Sequence, residues 1–132
     1  MSTSHPLIGA WRYVDATLDG KSTRPNGKGM IYYAATGAMM CQVSPGHVVA
    51  KAGAKPTPDE ALAALDGAIA YFGTFSIDEG AQTVTHRRQG SVQPGDTADL
   101  VRKFTHRRRQ AEAQSAGHEL RRALGTHEVR KF

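Results

Sequence analysis

The chain of 132 residues contains a single cysteine, Cys41, so an internal disulfide is excluded and a reducing, cytoplasmic setting is the expectation. No apolar run approaches the ~20 residues that a membrane-crossing helix needs, and no membrane partner is expected. The opening MSTSHPLIGAW lacks the basic-then-apolar order of a secretory leader. There is no P-loop, no dinucleotide glycine motif after a βαβ unit, and no G-x-S-x-G. The histidines, His5, His47, His86, His106, His118 and His127, are scattered without metal-ligand spacing. Neither a metal nor a cofactor is therefore expected. Aromatic residues make up only 7% of the chain, with one tryptophan, Trp11. From 105 to 131 there are none, which removes any stacking platform for bases.

What is present is the composition of one soluble globular domain, 39% hydrophobic and 22% charged. The net charge of +5 is unevenly placed. Residues 1–104 carry 10 Lys+Arg against 9 Asp+Glu, a net +1, and residues 105–132 carry 7 against 3, a net +4. The body is nearly neutral, so it offers no broad phosphate-binding surface.

Along the body the pattern is that of short strands and turns. LIGAWRYVDATL, from Leu7, reads as a strand with a bend near Gly9. Asp19 to Gly29 is turn chemistry throughout. MIYYAATGAMMCQVS folds back at Ala35-Thr36-Gly37 as a hairpin. A loop rich in Pro, Gly and Lys runs from Pro45 to Pro56 and carries His47, Lys51 and Lys55 toward what would be a barrel mouth. One helix is predicted over 58–69, with Thr57 as N-cap, Pro58 at the first position and Glu60 completing a capping box. Its apolar face would comprise Leu62, Leu65, Ile69 and Phe72. YFGTFSID, QTVTHRRQGSV and TADLVRKF read as three further strands. About six strands in a meander predict an all-β, antiparallel barrel or sandwich. A small barrel needs about eight, so two more must follow Phe104.

Four blocks resemble the bacterial and fungal lipocalin-like domain family. Gly9 and Trp11 match its G-x-W. Gly29, Tyr33, Gly37 and Met39 match the second block, and Tyr71, Phe72, Gly73, Thr74 and Asp78 the third. His86, Gly90, Ser91, Pro94 and Arg102 match the fourth. Phe75 replaces a Tyr and Val92 a Leu. The match covers residues 7–104 of a single domain, 1–132. The resemblance implies a calycin-type barrel with a central cavity. Most members have no defined activity, and some fungal relatives serve natural-product pathways, where such barrels cyclise or isomerise. The resemblance also implies that Gly9, Trp11 and Arg102 close one barrel end, Arg102 packing across the indole.

The tail departs from this pattern. HRRRQAEAQSAGHELRRALG is rich in strong helix formers with Gly125 as a stop, which predicts a C-terminal helix near 107–124 and a barrel incomplete or altered after residue 105. One explanation is a shifted reading frame. If His106–Arg109 is encoded CAT CGA CGG CGA, reading one base later gives I-D-G, the start of the turn and strands the family has there; the nucleotide sequence decides. Without closing strands, the edges at Tyr13–Leu18 and Leu100–Phe104 would be bare, and the chain would form homo-oligomers through them.

The candidate ligand-binding residues are Tyr33, Met39, Tyr71, Phe75, His86 and Arg102. Period-2 alternation puts Thr85 and Arg87 opposite His86, so His86 points inward, where it is the candidate general base. Methionines supply adaptable lining. The leading expectation is a barrel that binds a small apolar molecule. The alternative is an isomerase, cyclase or dehydratase acting on a hydrophobic substrate. A basic-tailed nucleic-acid-binding module ranks last, because no base-reading motif accompanies the tail.

Overall fold

The computed structural model describes residues 5–47, 49–107, 110–115 and 126–132, with backbone alone given for those between 106 and 127. The alternation around Trp11 forms β1 (Gly9–Leu18). The Asp19-Gly20 turn, with φ of 53° and 80°, folds a two-residue β2 (Lys21–Ser22) back onto it. Then come β3 (Lys28–Tyr33), β4 (Ala38–Ser44), α1 (Pro58–Leu65), β5 (Ile69–Asp78) and β6 (Thr83–Ser91), followed by β7 (Leu100–Arg107), β8 (Gln110–Ser115) and β9 (Thr126–Lys131). Apart from β2, each strand is antiparallel to the next in the order β1-β3-β4-β5-β6-β7-β8-β9, and β9 pairs back onto β1. The result is a curled sheet whose ends meet, with one short helix on its surface.

Pairing between β6 and β7 is short, Thr83–His86 meeting Leu100–Lys103. Beyond that point Arg88 bridges the gap. Its Nε donates to Ala98 O at 2.7 Å, and its guanidinium lies 2.9 Å from Asp96.

The expected C-terminal helix is corrected in part. Gln110–Ser115 is a strand, and residues 116–125 lie outside the described residues. The physical reason is that β7 and β1 present unpaired backbone on both flanks, and ladder pairing there outweighs the local helix preference of Ala, Gln and Glu. The two further strands expected after Phe104 are β8 and β9. They cover the edges expected to be bare: β1 pairs with β9 from Trp11 to Thr17, and β7 pairs with β8 from Arg102 to Arg107.

The helix α1 has the expected cap, with the Thr57 side chain and Glu60 forming a capping box. It stops at Leu65, short of the expected 69. Gly67 turns the chain at φ 79°, and Ile69 is already paired with Val43. Its predicted buried face is also absent. No residue of α1 is buried, Leu62 is 70% exposed, and Phe72 lies on the outer face of β5.

The core fills the inside of the curl. Leu7, Trp11, Tyr33, Met39, Tyr71, Val84 and Phe104 form one cluster, and Tyr13, Ala16 and Val43 a smaller one. In β1 the buried residues are Trp11, Tyr13 and then Ala16, a change of parity that a bulge between Tyr13 and Asp15 produces. A second irregularity lies between Phe72 and Gly73, opposite Arg88 and Gly90. A side chain at Gly73 would put its first carbon 1.9 Å from Arg87 O, so strand contact at this point requires glycine.

Two outcomes follow. Gly73→Ala forces β5 and β6 apart and is expected to lower stability by roughly 1–3 kcal/mol in urea denaturation. Truncation after Thr105 strips the partners from β1 and β7, and the shortened chain is expected to self-associate where the full chain melts cooperatively; light scattering beside thermal melts checks both halves of that statement.

Candidate functional site

Strand register brings the site together. Directly paired residues share a face, so Trp11, Ile31, Cys41 and Tyr71 form one inward row across β1, β3, β4 and β5. Tyr33, Met39, Gly73 and Arg88 form the next row. Gly73, without a side chain, lets the backbone of β6 come close. His86 enters from β6, where it is paired with Phe75 of β5.

His86 is fully buried. Tyr33 Oη lies 2.6 Å from its Nε2, and Tyr71 Oη lies 2.8 Å from its Nδ1. Burial, reinforced by the positive charges of Arg102 and Arg88, lowers its pKa from 6.5 to about 3. The ring is thus neutral, with one N–H and one bare nitrogen. The neutral ring donates from one nitrogen to one tyrosine hydroxyl and accepts from the other, so both of its nitrogens are satisfied in either tautomer. Arg102 and Cys41 stand beside Tyr71. Burial raises the pKa of both tyrosines and pushes the Cys41 thiol up to about 11, so all three remain protonated at neutral pH. The Cys41 thiol is not a nucleophile under these conditions.

Beside this cluster lies a cavity of about 60 Å³. Leu7, Trp11, Val84 and Phe104 line one part of it, and Ile31, Val43, Ile69 and Val129 another. Its polar lining comprises Tyr13, Tyr33, Cys41, Tyr71, Arg24 and Arg102, with no carboxylate among the residues that line it. Arg24 reaches from the turn after β2 to Gly67 O at 2.9 Å. Nearby the chain segments press together, since a side chain on Gly46 would meet Pro25 O at 2.0 Å. Of the Pro45–Pro56 loop expected at the mouth, His47 Nε2 contacts Ala63 O at 3.1 Å.

Of the residues singled out from sequence, Tyr33, Tyr71 and Arg102 line the cavity. Met39 and His86 are buried behind that lining, and the half-buried Phe75 packs edge-on against Tyr33 at 4.8 Å between ring centroids. His86 thus reaches the cavity only through the tyrosine hydroxyls. At the other expected feature, Gly9 stands at φ 126° at the head of β1 and Trp11 is buried, its Nε1 donating to Leu7 O at 2.8 Å. The cation over the indole is Lys131 Nζ, 4.9 Å from the ring centre, and it also donates to Pro6 O at 2.8 Å. Arg102 stands with Tyr71 instead. Sequence reasoning overlooked Lys131, Tyr13 and Arg24. Lys131 lay beyond the predicted helix, in a tail read as departing from the family pattern. Tyr13 carried a signal, as it continues the inward parity of Trp11.

Two comparisons with known proteins bear on this arrangement. A model of the lipocalin-like domain matches residues 8–128, which takes in all of the cavity lining but Leu7 and Val129. No curated protein matches the chain.

The buried imidazole makes stability depend on pH. The folded chain keeps His86 neutral where the unfolded chain protonates it, so from 6.5 down to about 3 the unfolded state binds more protons. The contribution is complete above pH 6.5 and is lost as pH falls, by up to ~1.4 kcal/mol per unit. Urea midpoints measured between about pH 7 and pH 4 should fall steeply in the native chain and less steeply in His86→Asn.

Proposed function

The chain belongs to the lipocalin-like domain family, and from that premise we propose that it is a binding protein which takes a small, largely apolar molecule into its interior. The observation that carries this reading is the cavity beside Trp11, walled by aliphatic and aromatic side chains and given polar groups at only a few points. Such a site excludes water from an apolar guest and orients it by a small number of polar contacts. At about 60 Å³ the hollow is well below the roughly 150 Å³ that admits a benzene ring. A guest the size of a benzene ring or a six-carbon chain requires side chains to shift. Met30, exposed at 47% and also part of the lining, is the most adaptable of them.

A catalytic role for His86 has less support. Both of its nitrogens are occupied by tyrosine hydroxyls, and a base with a pKa of about 3 has little pull on a substrate proton at neutral pH. The geometry favours His86 as the residue that fixes the two tyrosines.

Trp11 is the only tryptophan and lines the cavity, so its emission reports occupancy directly. Titration with 1-hexanol is expected to shift that emission saturably. Ile31→Phe, which fills the hollow, is expected to abolish the shift while the melting transition remains cooperative. An unchanged signal at saturating alcohol, or an undiminished one in Ile31→Phe, would overturn the binding reading.

A further inference from the structure

The cavity has a polarity that an apolar guest alone does not explain. Arg102 lines it, half-buried, and makes no ion pair among the described residues. The polar side chain beside it is the neutral Tyr71. Its strand neighbours supply no counter-charge. Val84 stands opposite on β6 and Ser115 on β8, and the next position of the same row pairs Phe104 with Ala113. The other nearby arginine, Arg88, is by contrast already held by Asp96 and by Ala98 O. A guanidinium held against apolar walls without an anion loses hydration and gains little in exchange, unless a ligand supplies the charge.

The geometry points to a monocarboxylic acid with a short aliphatic tail as the guest, its carboxylate taken by Arg102 together with the Tyr71 hydroxyl. This rests on the binding reading above and specifies its ligand class. Arg102 offers a planar fork of N–H groups suited to a carboxylate, and the neighbouring Tyr71 can turn its O–H to a carboxylate oxygen while its own oxygen accepts from a His86 Nδ1–H. The tail would lie among Ile31, Val43, Ile69 and Val129, toward Tyr13. Tyr13 Oη is itself buried without a partner among the described residues. The far end thus also retains an unused polar atom, within reach of a hydroxyl or oxo substituent on a longer guest.

Hexanoate and 1-hexanol differ only in the head group, and comparing them by Trp11 emission at neutral pH tests the assignment. Hexanoate is expected to bind at least ~10-fold more tightly, the minimum for a charge-assisted hydrogen-bonded pair. Arg102→Gln should erase this preference, and Arg87→Gln, on the exposed face and outside the lining, should keep it. As a measurement that needs no variant, the carbon resonance of carboxyl-labelled hexanoate should titrate at lower pH when bound than when free. Equal affinity for acid and alcohol, or a bound carboxyl that titrates at or above the free value, would overturn the carboxylate assignment and leave the binding reading intact. No saturable signal from either compound would remove both.

Discussion

A neutral imidazole with no exposure to solvent can persist only if both of its nitrogens are met, and in this protein two tyrosine hydroxyls meet them. Much of the interior is arranged around that constraint. Tyr33 and Tyr71 must point at one spot from neighbouring rows of the sheet. Arg102 and Cys41 then stand beside Tyr71. The polar chain keeps three hydroxyl or thiol protons inside an apolar wall, and none of those groups ionises near neutral pH. What the cavity offers a guest is therefore fixed dipoles and the guanidinium groups of Arg24 and Arg102, with no carboxylate in the lining.

The body of the fold was legible in the sequence because its signals are local. The turn chemistry at Asp19-Gly20 and at Ala35-Thr36-Gly37 marks hairpins that the strands confirm. The alternation in QTVTHRRQGSV placed His86 inside, where it is. The position of Arg102 was harder to read, since facing inward does not specify which aromatic ring it approaches. The indole of Trp11 receives Lys131, a residue from the opposite end of the chain, and only the strand register reveals that pairing. The overlong helix prediction failed for a related reason. The apolar spacing of Leu62, Leu65, Ile69 and Phe72 spans a helix and a strand, and the left-handed turn at Gly67 separates them.

The C-terminal part shows most clearly how context overrides local preference. QAEAQS has the composition of a helix, yet Gln110–Ser115 runs as a strand between β7 and β9. Its alternate positions Ala111, Ala113 and Ser115 are opposite His106, Phe104 and Arg102, so small residues occupy the register row shared with the cavity-lining Phe104 and Arg102. The family match reaches through this segment to residue 128, in keeping with a sheet that continues past the body.

The seam between β1 and β9 has a kinetic consequence. Trp11 is paired with Lys131, about 120 positions away along the chain, and the same lysine supplies the cation over the indole. Contacts of that separation carry a large loop-closure entropy and gain nothing until the intervening strands are in place. The stave that shuts the cup should accordingly be among the last to dock during folding, and the first to lift when the protein breathes. A guest would then have a route through a transient slit along this seam, with the rest of the wall undisturbed.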